Sequence, residues 1–164
     1  MWEYNYTPEP NELYHWGIKG MKWGVRRYQN PDGTLTPAGK RRKKIIDNEI
    51  DFQNNKIKQY ESAAKAYRDS AKQVRKEGPA ELRKEYPDMS DETIKTAVDT
   101  VAKRRENEAR WNEHVAKHMK LYNKKLSEID VTNAKMGRLK IHMLIQTLGK
   151  ETANEINNTW KENG

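Results

Sequence analysis

From Ile46 to Val74 apolar side chains recur at alternating steps of four and three: Ile46, Ile50, Ile57, Tyr60, Ala64, Tyr67, Ala71 and Val74, with Gln53 the one strongly polar residue in the series. On a helix of 3.6 residues per turn that spacing draws one narrow stripe, and such a stripe has to be covered by another of its kind. A second one follows. No Gly or Pro interrupts residues 91–136, and Ile94, Val98 and Val101 open a stripe there. It weakens through Arg104, Arg105 and Glu108, is anchored at Trp111, and resumes at Val115, Met119, Tyr122, Leu126, Ile129, Asn133, Met136 and Met143. The pattern predicts an all-α fold: a long antiparallel helical hairpin or coiled-coil-like bundle, preceded by an irregular or small-hairpin N-terminal segment. Pairing of the stripes between copies is the alternative, and Asn133 would then set the register.

Caps and breakers place the ends. Thr36-Pro37 reads as an N-cap followed by proline at the first helical position, and Gly78-Pro79 reads as a stop. A single helical turn fits residues 80–86. Ser90 caps the next helix, with Asp91 and Glu92 facing its positive dipole end. Gly137 bends or ends that helix, Gly149 reads as another stop, and Ile156 and Trp160 suggest a short final helix. The expected helices are therefore about 37–77, 90–136, 138–148 and 151–162.

Of 164 residues only 34% are hydrophobic and 34% are charged. That is too few apolar groups for a globular core of ordinary proportion and enough for elongated helices. The net charge is +8 and uneven: residues 1–44 hold nine Lys/Arg against four Asp/Glu, and the other 120 hold 23 against 20. Such a balance favours polyanionic partners: nucleic acid or an acidic protein surface. The chain has no cysteine, hence no disulfide framework. Residues 1–6 lack the basic and apolar regions of a signal peptide, and the most apolar run, residues 141–148, is too short to span a bilayer, so neither secretion by a signal peptide nor a membrane partner is expected.

Three segments emerge: an extended arm at 1–13, a Gly/Trp-rich basic segment at 14–39, and the helical body at 40–164. Four of six prolines, five of nine glycines and three of five tryptophans precede residue 40, a density that rules out a continuous helix there. Asn30-Pro31-Asp32-Gly33 is a turn signal. The candidate partner-binding residues are His15, Trp16, Lys19, Lys22, Trp23, Arg26, Arg27 and Tyr28, exposed aromatics interleaved with cations. The competing reading has Trp16, Trp23 and Tyr28 packed on the helices as a structural clasp. Lys40, Arg41, Arg42, Lys43 and Lys44 form a candidate phosphate site; five cations sit awkwardly in a first helical turn, where the dipole disfavours them.

Catalytic and metal chemistry is weakly signalled. His114 and His118 have a spacing that can hold zinc, but no cysteine or near third ligand supports them. His15 and His142 read as packing or surface residues. Carboxylates lie among i,i+4 cations typical of helix faces, and neither a phosphate-cradling loop nor a G-x-S-x-G elbow is present. No enzyme activity, metal or cofactor is expected.

Residues 14–40 resemble a motif of phage and prophage proteins of Gram-positive gut bacteria, of the form His-x-Gly-Ile/Val-Lys-Gly-Met-Lys-Trp-Gly-Val-Arg-Arg-aromatic-Gln, then Asp-Gly-Ser/Thr-Leu-Thr and a Gly-Lys/Arg cluster. His15, Gly17 to Gln29, Asp32 to Thr36, Gly39 and Lys40 carry the match. Met89-Ser90-Asp91-Glu92-Thr93-Ile94 and Arg104-Arg105-Glu106 are similar to a helix start in many such proteins. That family includes small stand-alone proteins and segments of larger phage head or minor structural proteins. The resemblance implies a phage setting, in the host cytoplasm or the virion, and a portable docking segment. Three expectations follow: a non-enzymatic structural or accessory protein whose helices supply length and self-association, a nucleic-acid-binding protein using the basic aromatic patch, or a small inhibitor of a host protein.

Overall fold

The computed structural model describes residues 27–133 and 135–163. Three helices make up the fold: α1 (Pro37–Glu85), α2 (Asp91–Ser127) and α3 (Arg138–Asn163). The arm at 1–13 and motif residues 14–26 lie outside the described residues.

α1 and α2 form an antiparallel hairpin. Their register is visible in three cross-helix ion pairs, Glu61–Lys120, Arg68–Glu113 and Arg75–Glu106. Each step of seven along α1 is matched by a step of seven back along α2, as an antiparallel heptad seam requires. Ile46, Ile57, Ala64 and Ala71 are buried, and Ile50, Gln53, Tyr60, Tyr67 and Val74 half-buried, so the whole predicted stripe of α1 faces the seam. On α2 the predicted gap is filled. Ala102, Ala109 and Ala116, seven residues apart, are buried together with Asn112. Methyl groups carry little hydropathy, so a seam of small residues reads as a weak stripe although it packs closely.

α3 runs back along α2 over about half the hairpin. Ile141 and Leu126 are fully buried where all three helices meet, beside Ile46 and Tyr122. A second cluster joins Ile57 of α1 to Val115, Ala116 and Met119 of α2, with Ile156 of α3 packed against it. The Tyr122 hydroxyl donates to the Ile145 carbonyl at 3.2 Å, with Glu49 Oε1 at 3.4 Å. Burial, and then the Glu49 carboxylate, push its pKa up to about 12.

Three helix ends differ from expectation. α1 does not stop at Gly78-Pro79 but continues to Glu85. A glycine Cβ at position 78 would lie 3.2 Å from Val98 Cγ2, so Gly78 serves close helix packing. Proline costs one backbone hydrogen bond here, and half-buried Leu82 extends the α1 face that meets Val98 and Val101. α2 ends at Ser127, short of residue 136. Asp130 Oδ1 accepts from the amide and hydroxyl of Thr132, and Asn133 Oδ1 accepts from the Lys135 amide; these local bonds compete with helix continuation. Asn133 is thus a connection residue, not a seam residue, and Met143 is exposed. Residues 138–163 form one helix through Gly149, which lies against Tyr122.

The described part of the N-terminal segment is the expected tight turn and helix start. Gly33, at φ +86, donates to the Asn30 carbonyl, and Gln29 bridges Leu35. Thr36 caps α1: its hydroxyl accepts from Gly39 N at 3.2 Å and donates to the Arg27 carbonyl at 2.9 Å. Gly39 is required by approach. A Cβ there would sit 2.1 Å from the Tyr28 carbonyl oxygen. Gly39→Ala, normally favourable in a helix, is therefore expected to destabilise by about 1–3 kcal/mol through overpacking. Urea unfolding checks the sign.

Candidate functional site

The candidate residues that the structure describes, Arg27, Tyr28 and residues 40–44, lie at the end of the rod where α1 begins. Tyr28 is buried. The Arg42 guanidinium lies 3.2 Å from its ring centroid, and Arg27 lies at 5.6 Å on the same ring. Arg42 is itself buried, and Nη1 donates to the carbonyls of Val131 and Asn133 at 3.2 and 2.9 Å. Its charge is met by a π face and two carbonyl dipoles. Arg42 was expected to bind phosphate, and Tyr28 either to face a partner or to pack on the helices as a clasp. Arg42 instead turns inward, and with Tyr28 it forms a clasp that joins the turn, α1 and the α2–α3 connection, because a buried guanidinium with five donors can satisfy all three at once.

The remaining cations stay outside. Arg27, Lys40, Arg41, Lys43 and Lys44 are exposed, and Lys43 pairs with Asp47 at 2.7 Å, a surface contact of little energy. The clasp brings up a set that linear reading did not assemble: Lys135, Arg138 and Lys140, all exposed, follow directly on the connection that Arg42 holds. Residues 27–44 and 128–142 together hold nine Lys/Arg against three Asp/Glu. The only early hint was that Gly137 falls at a break in the helical pattern. His15, Trp16, Lys19, Lys22, Trp23 and Arg26 lie outside the described residues, immediately before this end.

A second polar cluster sits where the end of α3 meets α2. The rings of His114 and His118 lie 4.6 Å apart between centroids, tilted by 56°, beside Trp111 and Trp160, whose rings meet edge to face at 5.1 Å. The Thr159 hydroxyl donates to the Glu155 carbonyl. Its oxygen therefore accepts from His114 Nε2 and His118 Nε2, at 3.1 and 3.4 Å. His114 Nε2 also lies 3.1 Å from the Ile156 carbonyl. This network assigns the proton of each ring to Nε2 and turns the pair towards α3. Among the described residues no group of three His, Asp or Glu is placed to hold a metal ion. His142 is exposed.

His118 Nδ1 is buried with no partner, so a second proton there would be poorly solvated. Burial, then His114, hold its pKa below the ordinary 6.5, with Lys117 and Lys125 acting the same way and Glu155 opposing. The folded state thus binds this proton less readily than the unfolded chain. The contribution is fully present above about pH 6.5 and declines as pH falls below it. The midpoint of thermal unfolding is expected to drop between pH 7 and pH 5, and His118→Gln, which keeps a donor for Thr159, is expected to flatten that dependence.

Comparison with known proteins adds one match. Residues 7–30 are similar to a family described as a family of unknown function (DUF7211). Among curated proteins and solved structures nothing matches the chain.

Proposed function

We propose that the chain is a non-enzymatic structural or accessory protein of a bacteriophage. Its N-terminal motif docks onto a virion partner, and the helical rod holds that motif at one end. The observation that carries the reading is the extent of the similarity. The family match ends at Asn30, inside the turn, and within the matched stretch Tyr28 lies under the Arg42 guanidinium. A segment similar to a known family thus overlaps the clasp at the start of α1, as a portable docking element anchored to this rod would. The phage motif resemblance of residues 14–40 supports the setting. His15, Trp16, Lys19, Lys22, Trp23, Arg26 and Arg27 would make the contact, with Tyr28 as its anchor. Among the described residues no helix is long and apolar enough to cross a membrane, and the proposed location is the host cytoplasm before assembly and the particle after it. Deleting residues 1–26 is expected to reduce this chain in purified particles to background while leaving circular-dichroism helicity nearly unchanged. Undiminished incorporation would remove the docking reading.

The cationic end favours a second reading, in which Lys40, Arg41, Lys44, Lys135 and Arg138 contact nucleic-acid phosphates. Four or five such contacts predict a slope of about −4 for log affinity against log salt in a gel shift. A flat salt response or absence of binding at about 50 mM salt eliminates it.

A further inference from the structure

The far end of the rod is built oppositely. Residues 77–92 hold six Asp/Glu against two Lys/Arg. Beyond the end of α3 the hairpin has two helices among the described residues, and an open groove of about 340 Å³ runs between them, floored by Val74, Leu82, Val98 and Val101. Val101 is 45% exposed. Because α1 continues through Pro79, Glu77, Glu81 and Glu85 fall at steps of four along one edge, all exposed, and among the described residues no Lys or Arg lines the groove. An apolar floor with an acidic edge fits a segment that interleaves apolar side chains with cations.

Residues 14–26 are such a segment: Trp16, Ile18, Met21, Trp23 and Val25 alternate with Lys19, Lys22 and Arg26, and there is no acid among them. They do not reach the groove of their own copy. Arg27 is held to the start of α1 by Thr36, and Glu77 stands 40 residues further on, about 60 Å along the helix. The 11 residues back to Trp16 span at most about 39 Å when fully extended. Residues 1–8 could come that far, but they contain no Lys or Arg.

We propose that the groove between α1 and α2 at the acidic tip receives residues 14–26 of a second copy, so that copies associate head to tail. The contact is heterologous, leaving a free segment at one end of every stack and a free groove at the other. The proposal rests on the reading of the motif as a docking segment, and it leaves the leading motif available for the virion partner.

Sedimentation velocity of the full chain at about 50 mM salt tests it: mass is expected to rise with concentration from about 5 to about 200 µM and to return to monomer at about 500 mM salt. Glu77→Lys/Glu81→Lys/Glu85→Lys changes exposed helix positions only and is expected to weaken association at least tenfold with helicity kept. The chain has no cysteine, so the contact can be trapped directly. Lys22→Cys and Glu81→Cys proteins, made separately, reduced, mixed and treated with a mild oxidant such as oxidised glutathione, are expected to form a mixed disulfide, whereas Lys161→Cys with Glu81→Cys is not. A monomer at every concentration, or association that survives the triple charge reversal, overturns the inference. Wild type that is monomeric yet incorporated into particles defeats this inference alone. Self-association combined with incorporation that survives loss of residues 1–26 defeats the docking reading alone.

Discussion

Replacing Arg42 with alanine is expected to lower the free energy of unfolding by about 3–4 kcal/mol, an effect as large as a severe core truncation. Two contributions set the size. Hydrogen bonds from a charged donor are worth about 1.5–3 kcal/mol, and truncation leaves the carbonyls of Val131 and Asn133 without that donor. A desolvated cation–π contact adds up to about 2 kcal/mol over the Tyr28 ring. The cost of burying the guanidinium offsets part of the sum. Arg42→Lys should recover less than half, since one ammonium cannot lie flat on a ring and reach two carbonyls. Urea unfolding gives the number, and hydrogen exchange gives its location. Protection of residues 27–36 should fall, while residues 91–102 at the opposite end keep theirs. A loss below about 1 kcal/mol would show that the clasp contributes little.

Leu126→Ala should cost about 3–4 kcal/mol, within the range for fully buried leucines. Leu126 has no exposed surface and packs with Ile46, Tyr122 and Ile141, the one level where three helices and the connection meet. A cavity there is lined by several rigid elements and collapses poorly. Val101→Ala in the two-helix part should cost under about 1 kcal/mol, because that side chain already faces water. Equal costs at the two positions would mean that stability is spread evenly along the rod rather than concentrated at the motif end.

Much of this was readable in residue order, and the exceptions have physical causes. The α1 stripe was legible because Ile46, Ile50, Ile57 and Tyr60 are large and apolar. The α2 stripe seemed to fade because Ala102, Ala109 and Ala116 do the packing, and cations such as Arg104 and Arg105 masked them. The cross-helix pairs of Arg68 and Arg75 looked like solvated helix faces, since neither arginine has an acid at i±4 and their partners, Glu113 and Glu106, lie 45 and 31 residues away. Helix ends were the weakest point. Gly78-Pro79 carries a strong local stop signal, but close packing on Val98 and the continued face through Leu82 outweigh it. The stop at Ser127 has only weak local signals, set by Asp130, Asn133 and a guanidinium about 90 residues away. For the same reason the site was half legible. A run of five cations is visible in the chain, but that Arg42 turns inward while Lys135 and Arg138 join from outside depends on the tertiary fold. The acidic edge at Glu77, Glu81 and Glu85 was hidden by the expected stop.

The claim on which the functional account turns is that residues before the clasp make the partner contact and the helices only present it. Competition measures this directly: a synthetic peptide of residues 7–30 and, separately, the chain lacking residues 1–26 are each added to full-length protein bound to particles. The account predicts that the peptide displaces the full chain and that the shortened chain does not. Displacement by the shortened chain, with the peptide inert, would place recognition on the helices and contradict it.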